Sequence, residues 1–409
     1  MAKILKLKLH WQILISLILA VIFGYFFPQG VKYISWMGEL FLRSLKMIIV
    51  PLIISSIISG VTSMGQGKDL GRLGIKTMSY YILTSLLAIL TGLIIVNIVK
   101  PGVGVDLGFT ETVEGLSEHI VSVKDIFYRL IPENIVDVMA KGEILPIIFF
   151  AILFGYFIMQ VPNKYKEPLT NLFEGIFEVM MQLTLFIIRF TPLGIFGIVS
   201  AEVARNSGQL KGIAGSLIIY SLCVLFGLIF HSLVSLPLIV RIFGKAKPYT
   251  HLRNMATPLL TAFSTSSSSA TLPLTIEAVE NKSGVSNVIS SFTLPLGATI
   301  NMNGTALYEC IAALFIAQAY GVDLTFIQQM LVVVTALLAA IGSAGIPMAG
   351  LVMMAVVLTA VGLPLEGIGL VLAVDRILDM TRTVVNVWGD TCGAVIIARS
   401  ENEETNVGI

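Results

Sequence analysis

Apolar runs recur along the chain from residue 10 to residue 398, most of them long enough to cross a bilayer. Six fill the first 242 residues, near 9–28, 36–63, 75–99, 143–161, 172–200 and 211–242, and each predicts a helix. Between the third and fourth, residues 100–142 are less hydrophobic and carry Pro101-Gly-Val-Gly104, Glu118-His119 and Ile131-Pro-Glu-Asn134, a pattern for a loop with a short interfacial helix.

After Lys245 the texture changes. Apolar segments shorten and are interrupted by small polar residues or glycine at Thr265-Ser-Ser-Ser-Ser-Ala-Thr-Leu-Pro273, Gly297-Ala-Thr-Ile-Asn-Met-Asn-Gly-Thr305 and Ile341-Gly-Ser-Ala-Gly-Ile-Pro347. Unpaired backbone groups are costly in hydrocarbon, so such breaks survive only inside protein or along a watery cavity. The first and third lie between arms of roughly a dozen residues, about half a span each, and predict re-entrant hairpins. Each is followed by a helix carrying polar residues, helix seven at 286–320 and helix eight at 366–398. The order hairpin, helix, hairpin, helix predicts an inverted repeat, an arrangement in which free backbone groups at the breaks bind ions and solutes.

Helix eight holds the densest charge. At about 100° per residue, Asp375, Asp379, Arg382, Asn386 and Asp390 fall at roughly 0, 40, −20, 20 and 60°, on one face. Ionisable groups inside a membrane segment mark a functional site by default.

Composition agrees. Of 409 residues, 56% are hydrophobic and 12% charged, and mean hydropathy is +0.90, which identifies an all-α polytopic membrane protein. A net charge of +1 without long like-charge runs gives nucleic acid no footing. Cys223, Cys310 and Cys392 are widely spaced in apolar segments, as free thiols, and His10, His119, His231 and His251 are scattered without metal-ligand spacing. The basic N-terminus precedes an apolar run ending in Phe26-Phe27-Pro28-Gln29, a poor cleavage site, so the run reads as a retained first helix with its lysines in the cytoplasm. The polar tail after Ala398 is expected to be frayed.

Four motifs, Ser266-Ser-Ser-Ser269, Asn301-Met-Asn-Gly-Thr305, Ala344-Gly-Ile-Pro347 and Asp379-Met-Thr-Arg-Thr-Val-Val-Asn-Val-Trp-Gly-Asp390, resemble those of the dicarboxylate/amino acid:cation symporter family, the glutamate and neutral amino acid transporters. The resemblance runs through the whole chain. It implies eight transmembrane helices plus two re-entrant hairpins, inverted repeats, and a homotrimer in the plasma (inner) membrane with both termini cytoplasmic. Residues 1–70 would hold scaffold helices one and two, 71–100 helix three of a transport domain, and 101–200 scaffold helices four and five. Residues 201–400 would complete the transport domain with helix six, hairpin one, helix seven, hairpin two and helix eight, leaving 401–409 a disordered tail. The transport domain would slide through the membrane as an elevator.

The same resemblance implies roles. Asp379 would take the substrate ammonium, and Arg382 the side-chain carboxylate in a two-point contact; the plain alternative is an Asp–Arg ion pair tying helices together. Neutral amino acid carriers lack the arginine, so Arg382 favours glutamate or aspartate. Asn386, Thr383 and Thr305 would add hydrogen bonds, backbone N–H groups at Ser267 and Ser268 would receive the α-carboxylate, and Ile346 and Gly350 would close the second hairpin over the substrate. Ordinary interhelical bonds and small-residue packing are the competing explanations for these polar positions. One sodium ion, a hard cation that prefers oxygen, would sit between the Asp390 carboxylate and carbonyls of Gly297, Asn301 and Asn386. A second would use carbonyls of Thr299, Ala340, Ile341 and Ser343.

Two departures from the family pattern and one match to it matter. A third sodium site in relatives uses the counterparts of Tyr81, Thr84, Ser85 and Asn301 with an aspartate where this chain has Asn303, so that site is expected to be weak or empty. Relatives carry an extra arginine at the position of Ser266 or of Met380; here Arg376 stands one turn before Met380. Glu309 on helix seven matches a glutamate linked to proton co-transport, and Glu309, paired with Arg376 when charged, is the candidate proton carrier; a fixed ion pair is the rival. Asp375 is expected to shape the network from behind.

Acidic amino acid symport driven by sodium and protons is the leading reading. A C4-dicarboxylate carrier fits less well, because a dicarboxylate has no ammonium for Asp379, and a neutral amino acid carrier is at odds with Arg382. A channel gains nothing from a zwitterion site, and a serine hydrolase at Ser266–Ser269 lacks a base, so no enzyme is expected.

Overall fold

The computed structural model describes residues 9–63, 68–104, 131–205, 210–341, 343 and 349–408, and these are almost entirely helical. The first helices are α1 (Leu9–Phe26), α2 (Ser35–Ser63), α3 (Lys68–Val99), α4 (Ile135–Lys141), α5 (Ile144–Ile158), α6 (Asn163–Ile188) and α7 (Thr191–Arg205). The rest are α8 (Leu210–Phe230), α9 (Leu236–Phe243), α10 (Pro248–Asn254), α11 (Ala256–Thr265), α12 (Ser268–Ser283), α13 (Asn287–Ile300), α14 (Asn303–Ala319), α15 (Phe326–Ile341), α16 (Ala349–Ala360) and α17 (Ile368–Ser400). Five stretches among the described residues are long and apolar enough to span a membrane: Ser35–Thr62, Arg72–Val99, Asn163–Ile188, Gly212–Phe243 and Asn287–Ala319. The chain is a polytopic helical membrane protein.

Local chemistry sets the ends. In Ile131-Pro-Glu-Asn134, Asn134 caps α4 by accepting from the Val136 and Asp137 amides, and Gly142 ends that helix at φ +71°. The remainder of the expected loop, residues 105–130, lies outside the described residues. The single helix expected over 172–200 is instead two, α6 and α7, because Pro192 has no N–H to give to the Ile188 carbonyl and opens a new helix. The helix expected over 211–242 runs through α8 into α9 by way of a π turn at His231–Ser235. That turn frees the Ser232 carbonyl to accept from the Trp388 indole at 3.0 Å.

The breaks after Lys245 fall where the pattern places them. Ser266 ends α11 in the left-handed region at φ +53°, and Ser267 turns extended and caps α12, its hydroxyl accepting from the Ala270 amide at 3.1 Å. Thus α11 and α12 form a hairpin with a serine tip. Asn301 and Met302 separate α13 from α14. The hairpin of α15 and α16 has Ser343 at its described tip; residues 342 and 344–348 lie outside the described residues.

Two packing groups result. In one, α1 packs on α7, and α2 on α5, α6 and α7. In the other, α3, α8 and α15 surround α14, while α11, α12 and α13 line α17. Every residue of α14 but Gln318 is buried, so this helix, its polar residues included, is enclosed by others. The groups meet through α16 on α2 and α5, and through α17 on α7.

The tail, expected to be disordered, follows a defined path over residues 401–408. Glu401 pairs with Arg72 and with Lys76, each at 2.6 Å. Glu403 accepts from the Ser286 hydroxyl at 2.6 Å, the Asn406 amide donates to the Ser283 carbonyl at 2.9 Å, and the Lys247 amide to the Val407 carbonyl at 2.7 Å. Val407 is fully buried. Composition labelled the segment as frayed; spaced acidic residues opposite basic and hydroxyl partners order it as a strap. The strap fastens α3, the α9–α10 link, the α12–α13 turn and α17 together.

The Glu401 carboxyl lies outside the spans, and its hydrogen bond to Lys76 holds it below its ordinary value of 4.5. A folded value below the unfolded one stabilises above the unfolded pKa and is lost as pH falls through the folded value. Glu401→Gln is therefore expected to lower the melting temperature of detergent-solubilised protein by a few degrees at pH 7, with a gap to wild type that shrinks once pH drops below 4.5.

Candidate functional site

Helix α17 carries the polar stripe past the Asn301–Met302 break, and α14 meets it from the other side. Asp375, Asp379, Arg382, Thr383, Asn386 and Asp390 are all buried. The Arg382 Nη2 lies 2.8 Å from Asp379 Oδ1 and 3.2 Å from Asp375 Oδ1, and the guanidinium carbon stands 3.7 Å from the centre of the Tyr308 ring. Two carboxylates and an aromatic face thus compensate one desolvated cation. Nε and Nη1 of Arg382 have no hydrogen-bond partner among the described residues, which leaves donors for a ligand. Gly350 of the second hairpin approaches the same guanidinium, since a Cβ there would sit 3.1 Å from Nη1.

One turn on, Asn386 joins the helices. Its Oδ1 accepts from the Gly304 amide at 2.8 Å, and its Nδ2 donates to the Thr305 hydroxyl at 3.1 Å. The Thr383 hydroxyl returns to the Asp379 carbonyl of its own helix at 2.8 Å. Ser267 and Ser268 are buried at the first hairpin tip; the Ser267 amide donates to Thr265 Oγ1 at 3.3 Å, and the hairpin runs along α17. Ile346 lies outside the described residues.

A second oxygen-rich centre surrounds Asp390. Its Oδ1 accepts from Asn301 Nδ2 at 2.8 Å, while Thr84 Oγ1 is 3.5 Å from Asn301 Oδ1 and the Tyr81 hydroxyl donates to the Thr293 carbonyl at 2.7 Å. Ser85 is buried nearby on α3. A Cβ on Gly297 would lie 2.6 Å from Asp390 Oδ1 and 2.7 Å from the Tyr81 hydroxyl, so only glycine lets this turn of α13 come against the carboxylate. The buried Asn303 accepts at Oδ1 from the Gly304 amide at 3.0 Å, and its Nδ2 is without a partner among the described residues. Gly297, Asn301 and Asp390, expected for one sodium ion, thus meet Tyr81 and Thr84, expected for a third. Thr299, Ile341 and Ser343 line a separate cavity of about 310 Å³ together with Ser56 and Ser59 of α2, beside the buried Ala340.

Glu309 is fully buried on α14, and neither carboxyl oxygen has a hydrogen-bond partner among the described residues. The expected Glu309–Arg376 pair is not the one formed: Arg376 Nη1 lies 3.7 Å from Asp379 Oδ2, one turn along its own helix. Tyr308 escaped sequence reading, although its position three residues after Thr305, on the same helix face, is a usable signal. Thr293, which engages Tyr81 through a backbone carbonyl, left none.

The description "Sodium:dicarboxylate symporter family" belongs to a family profile that matches residues 9–400. The chain is 35% identical to the proton/glutamate-aspartate symporter of Escherichia coli (strain K12), covering 98% of this chain and 94% of the other. It is 35% identical to the proton/sodium-glutamate symport protein of Geobacillus stearothermophilus, over 97% and 96% of the two chains. An excitatory amino acid transporter of Caenorhabditis elegans is 36% identical over 90% of this chain and 82% of its own.

Gly297→Ala places a methyl group against Asp390 and Tyr81. It is expected to raise the sodium concentration for half-maximal uptake by tenfold or more while the protein still folds, as measured by sodium titration in proteoliposomes; an unchanged titration would show that this centre takes no cation.

Proposed function

Because the chain belongs to the sodium:dicarboxylate symporter family, we propose that it is a secondary active symporter that takes up glutamate and aspartate with sodium ions and protons across the plasma membrane. The observation that carries the reading is the buried Arg382–Asp379 pair, with open guanidinium donors beside the second hairpin. An acidic amino acid matches that pattern. Its side-chain carboxylate takes the free donors of Arg382, its ammonium turns to Asp379, and its α-carboxylate meets Asn386, Thr383, Thr305 and the amides at Ser267 and Ser268. Relatives named for proton/glutamate-aspartate and proton/sodium-glutamate symport support the same cargo.

Charge explains the coupling. The buried carboxyl groups of Asp375, Asp379, Asp390 and Glu309 outnumber the guanidinium groups of Arg382 and the half-buried Arg376, and an acidic substrate adds one more negative charge. Moving uncompensated charge through low dielectric is prohibitive. Sodium at Asp390, with carbonyls of Gly297, Asn301 and Asn386, offsets part of the excess. A second ion beside Thr299, Ala340, Ile341 and Ser343 offsets more, and a proton on Glu309 offsets the rest. Asn303 in place of a carboxylate leaves the third sodium position, with Tyr81, Thr84 and Ser85, without its anion.

The packing group of α1, α2, α5, α6 and α7 serves as the fixed scaffold, and the other group, with the two re-entrant hairpins, as the moving elevator. The C-terminal strap keeps four elements of the moving unit together. On the scaffold, an apolar groove of about 360 Å³ between α2 and α6–α7, lined by Trp36, Leu40, Phe41, Phe186 and Phe190, is the surface we assign to assembly as a homotrimer. Both termini are placed in the cytoplasm.

Uptake of labelled glutamate or aspartate into liposomes should require an imposed sodium gradient, and Arg382→Ala should reduce it at least a hundredfold while serine is not discriminated against; sodium-independent uptake would overturn the reading. Glu309→Gln should abolish the alkalinisation of the external medium that accompanies uptake and leave substrate-dependent sodium entry, and alkalinisation at the wild-type rate would remove Glu309 from proton coupling.

A further inference from the structure

Two arginines reach Asp379, and they are not equivalent. Arg382 is only 1% exposed, locked between Asp375, Asp379 and the Tyr308 ring. Arg376 reaches the other oxygen, Oδ2, at 3.7 Å, with a side chain 26% exposed. That distance is an ion pair without an aligned hydrogen bond. A long side chain at the rim of a buried site can swing its head outward at little cost, whereas extracting Arg382 would leave two buried carboxylates uncompensated. One guanidinium is part of the site's frame; the other is a detachable counterion.

We propose that Arg376 is a specificity-determining residue: in the empty carrier it neutralises Asp379 Oδ2, and the ammonium of an amino acid substrate displaces it. The proposal rests on the reading in which Asp379 receives the substrate ammonium. Two cations cannot share one carboxylate oxygen without mutual repulsion, so the incoming ammonium and Arg376 compete. A dicarboxylate of the same length has nothing with which to displace Arg376. For such a ligand the Arg376–Asp379 pair stays closed, and it shields the carboxylate that would otherwise repel the ligand. The presence of Arg376 therefore weakens amino acids and helps dicarboxylates, narrowing the gap between them. A residue that merely held α17 in place would affect both ligands alike, because both use Arg382.

The test compares L-aspartate with succinate, its counterpart without the ammonium, as competitors of labelled aspartate uptake at saturating sodium. In Arg376→Gln and in Arg376→Met, which keeps an aliphatic stem, the ratio of the succinate to the aspartate inhibition constant is expected to rise tenfold or more over wild type. Arg376→Lys, which retains the charge, should restore most of the wild-type ratio. A ratio that stays constant or falls in the neutral variants, whatever happens to the individual constants, overturns the proposal. Asp379→Asn separates this from the underlying reading. If that variant leaves the ratio unchanged, Asp379 does not bind the ammonium and the reading itself fails. If it collapses the ratio while Arg376→Gln does not raise it, only the role of Arg376 fails.

Discussion

A guanidinium buried in a membrane protein's interior is the constraint around which the rest of the architecture is arranged. Arg382 is removed from solvent on a helix that otherwise reads as a membrane span, and the cost of that desolvation exceeds what one carboxylate returns. Asp375, Asp379 and the face of Tyr308 together compensate it. That requirement brings α17 and α14 into register. Asn386 then bonds across to Gly304 and Thr305 at the break, and Asn301 reaches across to Asp390.

Broken helices follow from the same need. A continuous helix satisfies its own backbone and has nothing left for a ligand. The interruptions at Ser266–Ser267 and Asn301–Met302, and Ser343 at the second hairpin, put backbone amides and carbonyls at buried depth, against α17, α14 or the cavity beside α2. Serine and asparagine suit these positions because their side chains can end one helix and cap the next. Glycine at 297 lets the α13 backbone reach the Asp390 carboxylate.

Coupling to cations is, in this view, an electrostatic consequence of the site and not an added device. Carboxyl groups outnumber guanidinium groups in the buried network, and an anionic substrate deepens the imbalance. On the proposed reading, co-transported cations restore it. Arg376 belongs to this network of charges, and the strap at 401–408 ties α3, the α12–α13 turn and α17 to one another through ion pairs and hydrogen bonds of its own.

The chain itself determined the class of protein, the positions of the breaks and the stripe on the last helix. Hydrophobic length, the cost of unpaired backbone and helical periodicity are local properties, and they are written in consecutive residues. The buried polar positions on α17 and at 301–305 were legible for the same reason, whereas the roles proposed for them came from the family resemblance. Pairings between distant segments were not. Only the tertiary structure decided that Arg376 meets Asp379 and leaves Glu309 without it, that Tyr308 stacks on Arg382, that the helix over 172–200 divides at Pro192, and that the acidic tail finds Arg72, Lys76 and Ser286. Which charge answers which depends on how helices separated by up to hundreds of residues come together, and no local pattern records that distance.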